Sequence, residues 1–332
     1  VDTVLTGHAS AVDLATMGLG LSVFSTLFVG LLGAVSALNP IIAQHYGADR
    51  HAAIGVAYVQ GLWMALILSA VGFVVLAFPQ LWLGWLRAPP EVEPLVTQYL
   101  RVLSLGLPGS LLFRAIYALN TAVSRPRVVM LLQLVGLGLK ILLSYALIYG
   151  TLGLPRMGAV GAALASVLVF WTLFAMGIAY MRRDPFYRRF AIHWVGPRWP
   201  ILRELFALGI PMSLSYTLEA TSFTVITLLA ARFGTTVMGG HQVVANMAAV
   251  CFMIPLSLSI ATATLTAQSI GAGDGRRARA TALTGMRMGA IVAVVTVTVM
   301  WALRDGIVRL YTSDAGVAAV ALTLISYLDA FH

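Results

Sequence analysis

The sequence predicts an all-α membrane protein that crosses the bilayer many times, and three observations support this prediction. Hydrophobic residues make up 60% of the 332 residues and charged residues only 10%, with a mean hydropathy of +0.91. A typical soluble domain carries about 25% charged residues. Apolar runs of about 20 residues, the length needed to cross a bilayer as a helix, recur along the chain. Most basic residues lie in short segments between these runs, as expected of topology signals.

Turn signals between the apolar runs divide the chain into predicted membrane helices. Proline and glycine mark several boundaries, for example at Pro89-Pro90, at Arg125-Pro126 and at Gly153-Leu154-Pro155. The first few residues are predicted to be the end of an earlier helix, and a partial helix is predicted from residue 317 onwards. The remaining predicted helices cover residues 14–44, 54–82, 95–123, 128–150, 158–181, 203–232, 237–270 and 280–303.

The distribution of arginine predicts which loops face the cytoplasm. With the N-terminal helix counted as the first, loops after even-numbered helices contain 12 arginines and loops after odd-numbered helices contain 5. Cytoplasmic loops are enriched in basic residues, so the even loops are predicted to be cytoplasmic. We therefore predict an N-terminal bundle over 1–181, a cytoplasmic linker over 182–202 and part of a C-terminal bundle over 203–332. The net charge of +9 belongs to these loops and does not indicate a nucleic-acid partner.

An internal repeat supports the division into two bundles. AQHYGA from Ala43 and AQSIGA from Ala267 each stand at the end of a predicted helix, before a charged turn and another helix, at an offset of 224 residues. Duplicated helix bundles with a site between them are typical of transporters, and two units at this spacing need roughly 450 residues. We therefore expect the second bundle to be incomplete in this chain, and we expect these residues alone not to transport.

Three acids fall within or beside predicted membrane helices. Glu219 stands near the middle of its helix, where an acid costs on the order of 2.5–3.5 kcal/mol on insertion scales. Asp329 lies in the last apolar run and Asp2 in the first. Each is a candidate for binding a coupling cation or a cationic substrate. The alternatives are a protonated or paired structural carboxylate for Glu219 and an interfacial position for Asp2 and Asp329.

Lys140 is the only lysine, and it lies inside the predicted helix over 128–150. At that depth it is too far from either membrane surface to reach water comfortably. An internal ammonium needs a carboxylate, and Asp2 is the candidate if the first and fifth helices face one cavity. The alternative is that Lys140 reaches a water-filled space without a specific partner.

Other function classes leave weaker signals. An intramembrane enzyme would need paired catalytic groups, such as Ser with His or two Asp at helical spacing, and the sequence shows no convincing set. The six histidines are scattered and the single Cys251 excludes a Cys-rich metal site, so no metal or other cofactor is expected. A channel is disfavoured by the duplicated bundles. A lipid-linked oligosaccharide flippase would favour basic residues within the membrane, for which only Arg114 and Lys140 are candidates.

Several segments of the sequence resemble the multidrug and toxic compound extrusion (MATE) family, specifically its NorM-like branch. VDTVLTGHASAVDLATMGLG is similar to the passage from its first to its second helix, and NPIIAQHYGADR to the end of the second. LGIPMSLSYTLEATSF resembles the seventh helix with its acid, and GGHQVVANMAAVCFMIPLSLSIATATLTAQSIGAGD the eighth. The resemblance implies two pseudo-symmetric six-helix bundles. It also matches Asp2, Glu219 and Asp329 to acids that function in the family.

One departure from the family pattern concerns the fifth helix. The family usually carries two asparagines there in an Asn-x-x-x-Asn-Tyr pattern, and these positions are Lys140 and Ser144, followed by Tyr145. In the family both asparagines help to form a polar site around the acid of helix 1. An ammonium at this site would repel Na⁺ and could neutralise Asp2, which moves the expected ion coupling to Glu219 and Asp329.

The resemblance implies a function for the chain as a whole. We expect a monomeric exporter in the bacterial inner membrane that moves organic cations and amphipathic drugs outward in exchange for H⁺ or Na⁺. Its expected partners are these small molecules, the coupling ion and membrane lipid.

Overall fold

A computed structural model describes residues 2–9, 11–81, 93–151, 155–311 and 315–331. Within these ranges it describes only the backbone of residues 4, 7–9, 11, 14, 81, 228, 231, 235, 309–311, 315 and 326–331. The described residues form helices and no β-strand, which confirms the predicted fold class.

The helices follow the apolar runs of the sequence closely. Short 3-10 turns lie at Pro79–Leu81 and Pro185–Phe190. The α-helices are α1 (Asp2–Ala9), α2 (Ala11–Ser36), α3 (Leu38–Gly47), α4 (His51–Ala77), α5 (Glu93–Ser104), α6 (Leu107–Ala122), α7 (Pro126–Tyr149), α8 (Gly158–Arg183), α9 (Trp199–Ala231), α10 (Thr235–Gly271), α11 (Gly275–Tyr311) and α12 (Ala315–Phe331).

Among the described residues, six helical spans are long and apolar enough to cross a membrane, or seven if the bent pair α5 and α6 counts as one. A residue adds 1.5 Å to a helix and the hydrocarbon core of a bilayer is about 30 Å thick. The chain is therefore a multi-pass membrane protein. α9 is also long enough, with 33 residues, and Glu219 stands within it.

The predicted helix over 14–44 forms a single membrane span in the structure, Ala15–Gly47, with a local break at Ala37. α2 ends at Ser36, and α3 begins after Ala37. Pro40 stands four residues after Ser36. A proline has no N–H to donate to the carbonyl four residues earlier, and its ring clashes with that carbonyl, so the α2 hydrogen-bond ladder stops there.

The predicted helix over 95–123 is broken in the same way. α5 ends at Ser104, Pro108 follows four residues later, and α6 leaves at an angle of 43° to α5. The same loss of an N–H and the same ring clash explain the bend.

The contacts of the chain divide it into two compact units, Val1–Thr217 and Leu218–His332. The boundary lies inside α9 and not in the predicted linker over 182–202. The linker packs on the first unit, because Gln60 of α4 donates to the carbonyl oxygen of Gly196 at 2.9 Å and Trp63 donates to that of Val195 at 2.9 Å. The predicted bundle boundaries themselves stay a prediction.

Each unit has its own core. In the first unit α4, α6 and α8 pack together, and their buried side chains include Tyr58, Met64 and Ile116. In the second unit α10, α11 and α12 enclose a cluster of Val243, Val244, Met247, Met300, Val308, Ala321 and Ile325.

Candidate functional site

The structure pairs the acid of α1 with the only lysine of the chain. Lys140 Nζ lies 2.7 Å from Asp2 Oδ2, and the two side chains are 18% and 19% exposed. The sequence analysis expected this partner because an ammonium inside a helix needs a carboxylate, and the ion pair is present. α1, α7 and α8 meet around it.

The ammonium of Lys140 uses all three of its donors. Besides the carboxylate of Asp2, it donates to the carbonyl oxygen of Ala162 at 3.1 Å and to Ser166 Oγ at 2.6 Å. The other carboxylate oxygen, Asp2 Oδ1, accepts from Ser144 Oγ at 2.8 Å. The desolvation of a buried ion pair is offset only when its remaining hydrogen-bonding groups are satisfied, and here they are.

A close approach of α7 and α8 brings Ala162 and Ser166 within reach of Lys140. A Cβ at Gly161 would lie 2.6 Å from the carbonyl oxygen of Leu147, so only glycine fits there. Small residues allow helix backbones to approach closely in membranes. The segment GAVGAALAS (158–166) packs as its small residues indicate.

Two further side chains hold the ends of the surrounding helices. Tyr149, at the end of α7, donates from its hydroxyl to the carbonyl oxygen of Leu5 at 2.8 Å. Asp13 of α2 accepts from the backbone N–H of Ala159 at 2.9 Å, at the start of α8, where the helix dipole favours a negative charge. These contacts tie α7 to α1 and α2 to α8.

Tyr145 lies outside this cluster. It follows Ser144 by one residue and therefore points to another side of α7, where it is 51% exposed. Its ring packs against that of Tyr149 at 5.2 Å between centroids. Three positions correspond to the family's Asn-x-x-x-Asn-Tyr pattern. The structure brings Lys140 and Ser144 to Asp2 and leaves Tyr145 on the surface of the helix.

Glu219 has a different environment from that of Asp2. It stands well inside α9 and its side chain is exposed. No hydrogen bond or ion pair joins it to another residue in the described part of the chain. Asp329 lies in α12 (Ala315–Phe331), but its side chain is outside the described residues, so its role stays a prediction.

Arg114 is the other basic group within a helix bundle. Its Nη2 donates to Ser36 Oγ at 3.1 Å, and its guanidinium carbon lies 4.3 Å from the centre of the Tyr117 ring. Its Nε has no partner among the described residues. The bond to Ser36 joins α6 to the end of α2.

The sequence analysis missed two partners of Lys140. The carbonyl oxygen of Ala162 carries no signal in the side chains, and Ser166 was not among the candidate residues. A signal for Ser166 did exist, since it is the polar residue of the segment GAVGAALAS and lies one turn after Ala162.

In the described part of the chain, no three His, Cys, Asp or Glu side chains are placed to hold a metal ion.

Comparisons with known proteins bear on the whole chain. A family profile described as MatE matches residues 1–146 and 211–330. A probable multidrug resistance protein NorM of Aromatoleum aromaticum has 40% sequence identity to this chain. The alignment covers 98% of this chain and 71% of that protein. The multidrug resistance protein PmpM of Pseudomonas aeruginosa is 33% identical to 100% of the chain, which covers 70% of it.

Solved structures show the same fold. A crystal structure of MATE in complex with MaD3S matches with a TM-score of 0.87 at 20% identity, over 99% of this chain and 73% of that one. The eukaryotic MATE transporter AtDTX14 matches with a TM-score of 0.83 at 21% identity, again over 99% and 73%.

Proposed function

The chain belongs to the MATE family of transporters, and on that premise we propose that it is part of a secondary active multidrug exporter. It moves organic cations and other amphipathic drugs outward in exchange for inward H⁺ or Na⁺. The relatives named as multidrug resistance proteins support the substrate class. Proteins of this family are transporters and not enzymes.

The contrast between Glu219 and Asp2 carries the proposal for ion coupling. The charge of Asp2 is already balanced by Lys140 at 2.7 Å, and both groups have their hydrogen bonds filled. A second cation placed there would meet the ammonium directly. Glu219 has no such counter-ion in the described part of the chain, so its carboxylate is free to take a proton, Na⁺ or a cationic drug.

Competition for this carboxylate couples the two fluxes. When the site opens outward, the coupling cation binds Glu219 and displaces the drug. When it opens inward, the cation leaves and the drug takes its place. Alternating access between these states follows from differential binding to two conformations. Asp329, on α12, is the second acid that we assign to this task.

The setting of the exporter follows from the same premise. We assign it to the inner membrane of a bacterium, in contact with lipid and working as a monomer. The H⁺ or Na⁺ that it exchanges is a transported ion, and no other cofactor enters the proposal.

Ethidium efflux tests this proposal, in cells that express the full reading frame containing these residues. Glu219→Gln removes the charge and keeps the size of the side chain. We expect efflux to fall at least tenfold at equal protein level in the membrane. Glu204→Gln is the matched control, because Glu204 lies exposed near the start of the same helix, and we expect it to transport normally. Normal efflux by Glu219→Gln would refute the role of this acid.

A further inference from the structure

A groove of about 980 Å³ lies on the first unit, between α4, α8 and the linker segment that follows α8. Trp171, Phe174, Ile178 and Arg182 line it from α8 at spacings of three and four residues, so they share one face of that helix. The apolar members lie within the membrane span Gly158–Arg183, and the arginine lies in its last turn. The groove is therefore apolar along the membrane span and basic at its mouth.

The linker adds a second unpaired cation to this mouth. Arg188 lines the groove with Arg182, both are exposed, and neither guanidinium has a hydrogen bond, ion pair or ring contact among the described residues. Two neighbouring arginines behave differently. Arg125 pairs with Asp184 and stacks on Phe186, and Arg189 stacks on the same ring at 3.7 Å. The fold thus uses one pair of guanidinium groups internally and leaves the pair at the groove available.

The floor of the groove contains a buried hydroxyl without a protein partner. Tyr58 of α4 lines the groove and is 1% exposed, and its hydroxyl makes no hydrogen bond to any described residue. A buried donor left unpaired costs about 1–3 kcal/mol. The hydroxyl oxygen is itself inaccessible to solvent, so it lies beneath the surface of the groove.

Trp194 marks the depth of the groove in the membrane. It lines the groove, is 61% exposed and packs against Trp63 at 5.0 Å between ring centres. Tryptophan is enriched at the level of the lipid headgroups. The surrounding arginines belong to the loop that the sequence predicts to be cytoplasmic, and that leaflet carries the anionic lipids.

We propose that this groove binds one anionic phospholipid of the cytoplasmic leaflet. An acyl chain lies along the apolar face of α8, and the phosphate contacts Arg182 and Arg188. The opposite charges of headgroup and mouth select an anionic lipid over a zwitterionic one. This inference does not depend on the transport function, because it concerns a binding surface that neither Glu219 nor Asp2 lines.

Native mass spectrometry tests the proposal with protein expressed from its full reading frame and purified in detergent. Phosphatidylglycerol and phosphatidylcholine are titrated separately, and bound lipids are counted. We expect one phosphatidylglycerol to bind more tightly than the others and more tightly than phosphatidylcholine. A basic residue near an anionic lipid contributes about a fivefold factor, so Arg182→Gln/Arg188→Gln weakens the tight binding roughly 25-fold.

A charge-matched control separates this site from the general surface charge. Arg127→Gln/Arg183→Gln removes two exposed arginines that do not line the groove, and we expect it to leave the tight site unchanged. Ala175→Trp fills the groove with the arginines intact, and we expect it to remove the same lipid. Equal losses in both arginine pairs, or no loss in the groove pair, would overturn the proposal. So would equal affinity for the two lipids.

Discussion

In the first unit the acid Asp2 is paired with Lys140, whereas in the second unit Glu219 has no partner among the described residues. Asp2, Lys140, Ser144 and Ser166 form a closed set of hydrogen bonds between three helices. The second unit contains the apolar cluster around Met247 and Met300. Both units therefore have apolar cores, and the first adds a buried polar contact between its helices.

The burial of the spans differs in the same direction. Half of the most apolar window of α4 is buried (50%), but only 6% of that of α11. A charge in a tightly packed unit is tolerated when its desolvation is offset by a partner. Glu219 has no such partner among the described residues. On this comparison we expect Asp2 to stabilise the fold, and Glu219 remains the acid proposed to bind the coupling ion.

The stability of variants offers the strongest test of this comparison. Lys140→Met keeps the length of the side chain but leaves the Asp2 carboxylate without its cation. We expect the free energy of unfolding to fall by on the order of 3 kcal/mol, because removal of one partner leaves the other charge unpaired. The measurement is the midpoint temperature of thermal unfolding in detergent. Size-exclusion chromatography after heating monitors the loss of folded protein.

Two further variants serve as controls for this prediction. Asp2→Asn/Lys140→Met removes both charges and should recover most of the lost stability. Glu219→Gln should stay within about 0.5 kcal/mol of wild type, since it breaks no contact seen among the described residues. If Lys140→Met is as stable as wild type, the pair is not structural and the comparison fails.

The linker provides a test of intermediate size, because its attachment to the first unit sets the boundary between the units. Gln60 is buried and makes two hydrogen bonds to the linker, to the carbonyl oxygen of Gly196 at 2.9 Å and from the N–H of Arg198 at 2.7 Å. Gln60→Ala removes both hydrogen bonds and should weaken the attachment of the linker to the first unit by about 1–2 kcal/mol. We expect trypsin to cut the linker about tenfold faster. Gln98→Ala, at an exposed position of α5, should leave the rate unchanged.

The smallest expected effect concerns pH at the cytoplasmic edge of the first unit. The backbone N–H of Phe186, with the guanidinium of Arg125, holds the pKa of Asp184 below its usual range. The stabilisation is therefore present above the unfolded pKa of about 3.9 and is lost as pH falls through the lower, folded pKa.

Asp184→Asn measures this contribution. It should lower the free energy of unfolding by about 1 kcal/mol or less at pH 6, as expected of a partly exposed pair. The difference from wild type should shrink as the pH of the unfolding measurements falls from 6 towards 2. A difference that is the same at both pH values would show that the charge of Asp184 contributes nothing.

Much of the candidate site was predictable because charge inside a membrane helix is rare and costly. That rule singled out Glu219, Asp2 and Lys140 and predicted the pairing of the last two. It could not predict the hydrogen bond to the carbonyl oxygen of Ala162, since every residue has a backbone carbonyl and the sequence does not show which one lies near Lys140. Nor could it separate Tyr145 from Ser144, because which side of α7 faces α1 depends on packing.

The sequence by itself determined the fold class, the approximate membrane spans and the acids that stand within them, because hydropathy and charge act locally along the chain. Tertiary structure decided which prolines interrupt a helix. Pro40 and Pro108 do, whereas Pro211 and Pro255 lie inside the continuous helices α9 and α10. Neighbouring groups can satisfy the backbone that a proline frees, so its effect depends on what packs against it. Tertiary structure likewise decided that one carboxylate has a lysine beside it, because that partner lies far away along the chain.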